Sequence, residues 1–499
     1  MIIFIVYLIL ISFLLWRNSF FGIFKDEVLN KKFISIVFLL KALAVPALYF
    51  LFLKLYGGIQ GFDAGKFFFD ATTLNHLALD DPQEYLKTLF GLQDEKEGGH
   101  FYKVIIEPTF NWENGAEKDF FYNDNRVIIR LHSIIHFISF GSYFVHALVN
   151  CFFSFIGLFL FYKSFKEYLP GKERIFFIVI CFFPSLWLYT GGLLKEGWCV
   201  FFLGANIYIL RSAFRNGFTW KRIIVLSALL WISMLLKPYI LLFSFLSFTI
   251  YYAIEKFFPL KRKLFLYAGS MLILTGLMNL FVSTVKNKTL YQAALERQIR
   301  FTDVAEGGIF LTDSSKLIRL KYDWKLVTKD IERRSYYFIK KDVPYTYWEH
   351  QHKLDTMHCT SNQNTTVSYS LAYVLPTGGS NLQLKDKSSA IVLLRSFYHT
   401  TAYPFFINAK GPMQLLASAE NLLMILSILV CLYGIFFLKV PSYFPAVFLF
   451  MGLVLFLLIG FTTPNSGAIL RYRAPASLFL LTGALYYFRV LMLKWRSKT

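Results

Sequence analysis

Runs of about 20 apolar residues recur along this chain, and no other feature limits its fold so severely. A hydrocarbon layer about 30 Å thick takes roughly 20 residues of helix at 1.5 Å each. Within that layer only helices and closed barrels satisfy every backbone polar group. By this ruler the 499-residue chain has apolar segments near 1–16, 33–56, 132–161, 175–192, 197–210, 223–236, 238–254, 264–284, 413–437, 442–461 and 473–493. Composition agrees, with 56% hydrophobic and only 17% charged residues, against roughly 45–50% and 25% in soluble domains. The expected fold class is all-α: a polytopic membrane bundle of about eleven spans, with two long outer loops carrying amphipathic helices. The run that opens at Met1 has no basic leader and no small-residue cleavage site, so it reads as a retained span.

The net charge of +21 would suit a nucleic-acid binder, but in a membrane protein Lys and Arg gather in cytoplasmic loops, and nucleic acid is set aside as a partner. Those residues alternate between the connections. Arg17, Lys25, Lys31 and Lys32 follow the first span, and Lys163, Lys166, Lys172 and Arg174 follow the third. Arg211, Arg215, Lys221 and Arg222 follow the fifth, and Lys256, Lys261, Arg262 and Lys263 the seventh. Lys439 follows the ninth, and Lys494, Arg496 and Lys498 end the chain. Eleven spans then put the N-terminus outside and the C-terminus in the cytoplasm. Four of the five cysteines (Cys151, Cys181, Cys199, Cys431) lie in apolar runs, which argues against a disulfide framework.

The chain divides into an N-terminal membrane half (1–284), a loop region (285–412) and C-terminal spans (413–499). Two connections on the outer side are long and opposite in charge. Residues 57–131 carry 13 acidic against 7 basic side chains, and residues 285–412 carry 18 basic against 11 acidic. The second contains amphipathic stretches at Leu290 to Phe301 and Leu317 to Ile339. Loops of this length in a compact protein usually have a function.

Four outer segments hold the candidate chemistry. Just beyond the second span, a helix over 62–72 would put Asp63, Lys66 and Asp70 on one face, with Phe62, Phe67, Phe68 and Phe69 against the interface. A carboxylate there could serve as a general base, Asp63 first and Asp70 second; the plain reading is an interfacial helix with a Lys66–Asp70 pair. Gly57, Gly58, Gly61 and Gly65 suit close backbone approach. Lys195 and Glu196 occupy the turn after the fourth span, and Lys237 another minimal turn. Lysines in short outer turns break the charge rule, and such departures mark places to look for function. Arg471, Tyr472 and Arg473 lead into the last span, where guanidinium groups would meet a lipid phosphate in a bidentate way, or simply snorkel. Lys41 lies inside the second span, where a cation is a functional signal by default, though its head could also snorkel inward. Glu349, His350, His352, His358 and Cys359 match no zinc spacing, and no phosphate loop of the Walker type is present.

These segments give the chain its likeness. The acidic stretch Gly61 to Ala71, the turn from Phe183-Pro184-Ser185 through Leu194-Lys195-Glu196, Gln414 to Asn421, and Pro464 to Arg473 together resemble the bacterial GT-C-type integral-membrane glycosyltransferases. Related polysaccharide-assembly proteins, including protein O-mannosyltransferase-like members, share the pattern. The resemblance implies sugar transfer from a polyprenyl-phosphate-linked donor at the outer face of the bacterial inner membrane, onto a glycan or protein acceptor, in cell-envelope glycan assembly. It places the catalytic acid on the first large outer loop, at Asp63 or Asp70. Arg471 and Arg473, with Lys195 or Lys237, would bind the lipid phosphate, supported by Glu196, Lys66 and Tyr472. The chain departs from the family in two ways: its acid follows the second span, making 1–16 an added helix, and it has no adjacent acid pair. The need for a divalent metal stays open. An O-antigen-type polymerase or ligase using lipid diphosphates is the neighbouring alternative. A lipid or glycan transporter is the alternative from another class; inverted repeats and midplane charges would mark it, and here no repeat is visible.

Overall fold

The computed structural model describes residues 2–18, 22–56, 58–59, 62–96, 98–112, 124–258, 262–305, 308–313, 316–320, 327–329, 337–339, 344–349, 353–358, 370–375, 389–409, 411–438, 440, 442–463 and 465–496. Among them eight helices are long and apolar enough to cross a membrane: Lys31–Leu55, Tyr143–Tyr168, Lys195–Asn216, Pro238–Phe257, Lys263–Val285, Pro412–Phe437, Phe444–Thr462 and Ala474–Arg496. The chain is a multi-pass helical membrane bundle. Each of the eight covers one of the eleven expected positions. The other three hold shorter elements: Ile2–Asn18, the pair Glu173–Phe182 and Pro184–Tyr189, and Trp220–Leu236.

The departures have local causes. The expected span 132–161 is broken by Phe140 and Gly141, both at positive φ (51° and 69°). This frees Asp124–Ser139 as a separate amphipathic helix, and the span itself begins at Tyr143. Pro184 ends the helix before it, because proline lacks an amide donor and fits only a first turn, where Pro238 and Pro412 also sit. In the second long loop Leu290–Ala305 is helical as expected. The amphipathic stretch Leu317 to Ile339 is not: it contributes strands Lys316–Leu320, Val327–Lys329 and Tyr337–Ile339. The first joins Gly308–Asp313, Pro344–Glu349, Lys353–His358 and Ser370–Leu375 in a five-stranded sheet whose pairings are all antiparallel. The helical bundle thus carries a small β element on this loop. Residues 350–352 and 359 lie outside the described residues.

Packing in the bundle relies on small residues and interlocked rings. A Cβ added to Gly204 would stand 1.9 Å from the Gly157 carbonyl oxygen, and one on Gly157 would stand 2.4 Å from Val200 O. Glycine at both positions lets Tyr143–Phe165 and Lys195–Asn216 meet backbone to backbone, the approach that binds helices where lipid removes the hydrophobic drive. Phe161, Phe165, Phe248, Phe448 and Phe479 interlock, with centroids 4.8 to 6.4 Å apart. The C-terminal spans therefore share one core with the N-terminal half. Ser389–Thr401, expected within the outer loop region, also packs into the bundle: a Cβ on Gly460 would meet Ser396 O at 2.1 Å.

Candidate functional site

Four chain turns converge at one end of the bundle. Lys195 and Glu196 open a span that closes with Arg215, and Lys237 precedes one closing with Lys256. Arg471 precedes the span that ends in Lys494 and Arg496, and Asp63 follows the span that begins at Lys31. Each site residue thus lies at the end of its helix opposite the basic one.

Asp63 starts the helix Asp63–Asp80, where a carboxylate also suits the positive end of the helix dipole. Gly65 keeps the approach possible, since a Cβ there would overlap Ile59 O at 1.6 Å. Asp63 Oδ2 accepts from Arg471 Nη1 at 2.9 Å, joining residues 408 apart in sequence. Arg471 Nε lies 3.4 Å from Glu196 Oε1, and Lys237 Nζ donates to the same oxygen at 3.3 Å. Tyr472 floors the group: Lys237 Nζ sits 3.4 Å above its ring centre, and Arg471 Nη2 donates to its hydroxyl at 3.3 Å. Two acids and two cations form one balanced unit.

Exposure is graded across it. The Glu196 side chain is 1% accessible, Lys237 5%, Arg471 16% and Asp63 47%, so Asp63 is the open side of the cluster. Burial pulls the Asp63 carboxyl upward, but the charge and hydrogen bond of Arg471, with Lys195 and Lys66 nearby, outweigh it and hold the group below the ordinary carboxylate value. Burial likewise disfavours the charge on Arg471, and Glu196, Tyr472 and Asp63 raise its pKa well above the usual value.

The remaining candidates are placed elsewhere. Lys195 is engaged by Asp124 Oδ1 at 2.8 Å and Asn125 Oδ1 at 2.5 Å, over the Phe67 ring. Asp70 is bonded elsewhere: its oxygens accept the backbone amides of Phe110 (2.8 Å) and Asn111 (2.7 Å), in place of the expected Lys66 pair. Burial raises the Asp70 carboxyl to about 6, although those amides and Lys66 pull it down. Arg473, expected beside a headgroup at the outer edge, is fully buried inside the bundle. It donates to Glu420 Oε1 at 2.9 Å and Thr400 O at 2.6 Å, while Glu420 Oε2 accepts Ser185 N at 2.8 Å. Arg471 and Arg473 differ in role because the helix Ser466–Tyr472 ends between them, and Arg473, its C-cap, leads directly into Ala474–Arg496. Lys41 does not snorkel: its ammonium donates to Thr190 Oγ1 (2.7 Å) and Leu186 O (3.4 Å), closing the end of the short helix that leads to Glu196.

Sequence reading missed Asp124 and a buried histidine pair. Trp198 Nε1 donates to His132 Nε2 at 3.4 Å, and the Nδ1 atoms of His132 and His146 meet at 3.1 Å. An indole only donates, so His132 must carry its proton on Nδ1, and the chain runs on through His146 Nε2 to Ser139 Oγ at 2.8 Å. A chain that begins on an indole cannot relay a proton. Burial lowers His132 to about 3 and keeps it neutral. Among the described residues no group of three or more His, Cys, Asp or Glu is arranged for a metal.

Comparison with family models, curated proteins and solved structures finds no match for this chain. The site's own chemistry must carry its interpretation.

Proposed function

We propose that this chain is an integral-membrane glycosyltransferase that moves a sugar from a polyprenyl-phosphate-linked donor at the outer face of the bacterial inner membrane. The observation that carries the reading is the Asp63–Arg471 pair, half open at the rim and backed by the buried Glu196–Lys237 pair. The positive-inside rule supports an outward-facing rim, because the same helices end in Lys and Arg at their far ends.

In this reading the donor phosphate displaces the Asp63 carboxylate from Arg471, since a guanidinium takes either oxyanion with the same geometry. Asp63 then loses the counter-ion that holds it low and becomes a stronger base. It removes the proton from the acceptor hydroxyl, and the oxygen attacks the anomeric carbon. The bond from that carbon to the phosphate oxygen breaks, and the electron pair leaves on the lipid phosphate. Arg471, kept charged by Glu196, stabilises that departing charge. Lys237 supports Glu196 and so acts through it. This chemistry asks nothing of Asp70 or Arg473.

The test is transfer by purified full-length protein in vesicles, using polyprenyl-phosphate and polyprenyl-diphosphate sugars as alternative donors. Asp63→Asn should lose at least about 100-fold in rate while still inserting and folding. Full activity in Asp63→Asn would sink the mechanism. Turnover of the diphosphate donor alone would reassign the chain as an O-antigen-type polymerase or ligase.

A further inference from the structure

The carboxylate of Glu196 is only half used. Oε1 accepts Lys237 Nζ with Arg471 Nε 3.4 Å away, whereas Oε2, and that Nε, are buried with no hydrogen-bond partner among the described residues, on a glutamate 1% exposed. A carboxylate oxygen shut away from water without a donor is costly, so this position suits a further donor that the described residues do not place against it.

The surroundings restrict what that donor can be. An ionised carboxylate only accepts, and it repels an anion. A further cation is opposed by Lys237 and Arg471, which already balance Glu196 and Asp63. A neutral hydroxyl fits. Arg471 offers the opposite chemistry, because its Nη1 is held by a half-exposed carboxylate that an incoming oxyanion can replace. One arginine therefore bridges an anion position on the Asp63 side and a hydroxyl acceptor on the Glu196 side. A glycosyl phosphate presents this pair of groups on neighbouring atoms: phosphate oxygens, and the hydroxyl on the next ring carbon.

We propose that Glu196 Oε2 accepts the hydroxyl adjacent to the phosphate-bearing carbon of a sugar phosphate while Arg471 binds the phosphate, making Glu196 a specificity-determining residue. The inference rests on the site being an anion site for a phosphate-linked sugar. It adds that the site reads the sugar as well as the phosphate.

Binding to the full chain in detergent micelles would be measured by calorimetry with glucose 1-phosphate, mannose 1-phosphate, 2-deoxyglucose 1-phosphate (the deoxy form of both) and inorganic phosphate. A hexose phosphate should bind about 10- to 100-fold more tightly than the deoxy sugar, the worth of a hydrogen bond to a charged acceptor. Glu196→Gln should bring the hexose phosphate close to the deoxy sugar, which a loss of anion binding alone would not do. Equal binding of deoxy and parent sugars, or of phosphate and sugar phosphate, would overturn the role of Glu196 and leave the anion site standing. Failure of all four to bind would overturn both. Should Glu196→Gln not fold, the deoxy comparison in the unaltered protein still decides.

Discussion

Arg471 and Arg473 show how little residue type says about role. They are two positions apart and equally basic, yet Arg471 faces a half-open rim and Arg473 is buried on Glu420. Removing one partner of a buried pair strands the other, at about 3–5 kcal/mol, whereas removing both costs much less. Arg473→Met should therefore destabilise strongly, and adding Glu420→Met should recover part of the loss despite the freed amide of Ser185. Chemical denaturation of the two variants in detergent checks this; additive losses would show that the pair is not coupled. Asp70 gives a prediction with a sign. Its folded pKa of about 6 lies above the ordinary aspartate value of 3.8, so the fold binds the proton more tightly than the unfolded chain. Stability from this group is present below pH 4 and falls as pH rises towards 6, by about 1–3 kcal/mol. Melting profiles of the native protein and Asp70→Asn should diverge over that window, and parallel profiles would refute the assignment.

At the scale of elements, glycine decides what can touch. Gly157 and Gly204 face each other across the two central spans, where even a methyl group would collide with backbone. Gly204→Leu should separate Tyr143–Phe165 from Lys195–Asn216 and move the helix start that carries Lys195 and Glu196. The expected outcome is a protein that inserts but melts well below the native one, in thermal unfolding. An unchanged melting temperature would mean that the helices are not held by this contact. The same contact positions the site indirectly. Asn150, one span away, donates to the Gly192 and Leu194 carbonyls, and Ser154 donates to Thr190 O at 3.0 Å. The turn before Glu196 is thus held by hydrogen bonds from Asn150, Ser154 and Lys41.

At the scale of the whole molecule, the proposed reading needs the rim outside. In a variant whose native cysteines are replaced, Asp94→Cys should react with an impermeant maleimide in intact cells, and Ser212→Cys only after permeabilisation. The reverse pattern would turn the bundle over and remove the lipid-linked donor from the site's side. The bundle also shows why some expectations failed. Apolar length locates long helices well, because burial in lipid depends on composition alone. It cannot tell an interrupted stretch from a continuous one, so 132–161 reads as one span until Phe140 and Gly141 turn the chain. Nor can amphipathic character at 317–339 choose between helix and strand, since the choice depends on pairing partners up to 33 residues away, as Lys316 is from Glu349.

Legible in the sequence alone were a polytopic helical membrane protein, the helix ends where charge collects, and Asp63, Asp70, Lys195, Glu196, Lys237, Arg471 and Arg473 as one candidate set at the outer face. Those are properties of composition and local order, which hydropathy and the cost of burying charge fix without reference to distant parts of the chain. The packing of the helices is what brings Asp63 to Arg471, buries Asp70 and Arg473, and leaves one oxygen of Glu196 without a donor among the described residues. Pairing across 408 residues depends on which helices pack together, and that is set by side-chain shape and by glycines facing each other across an interface.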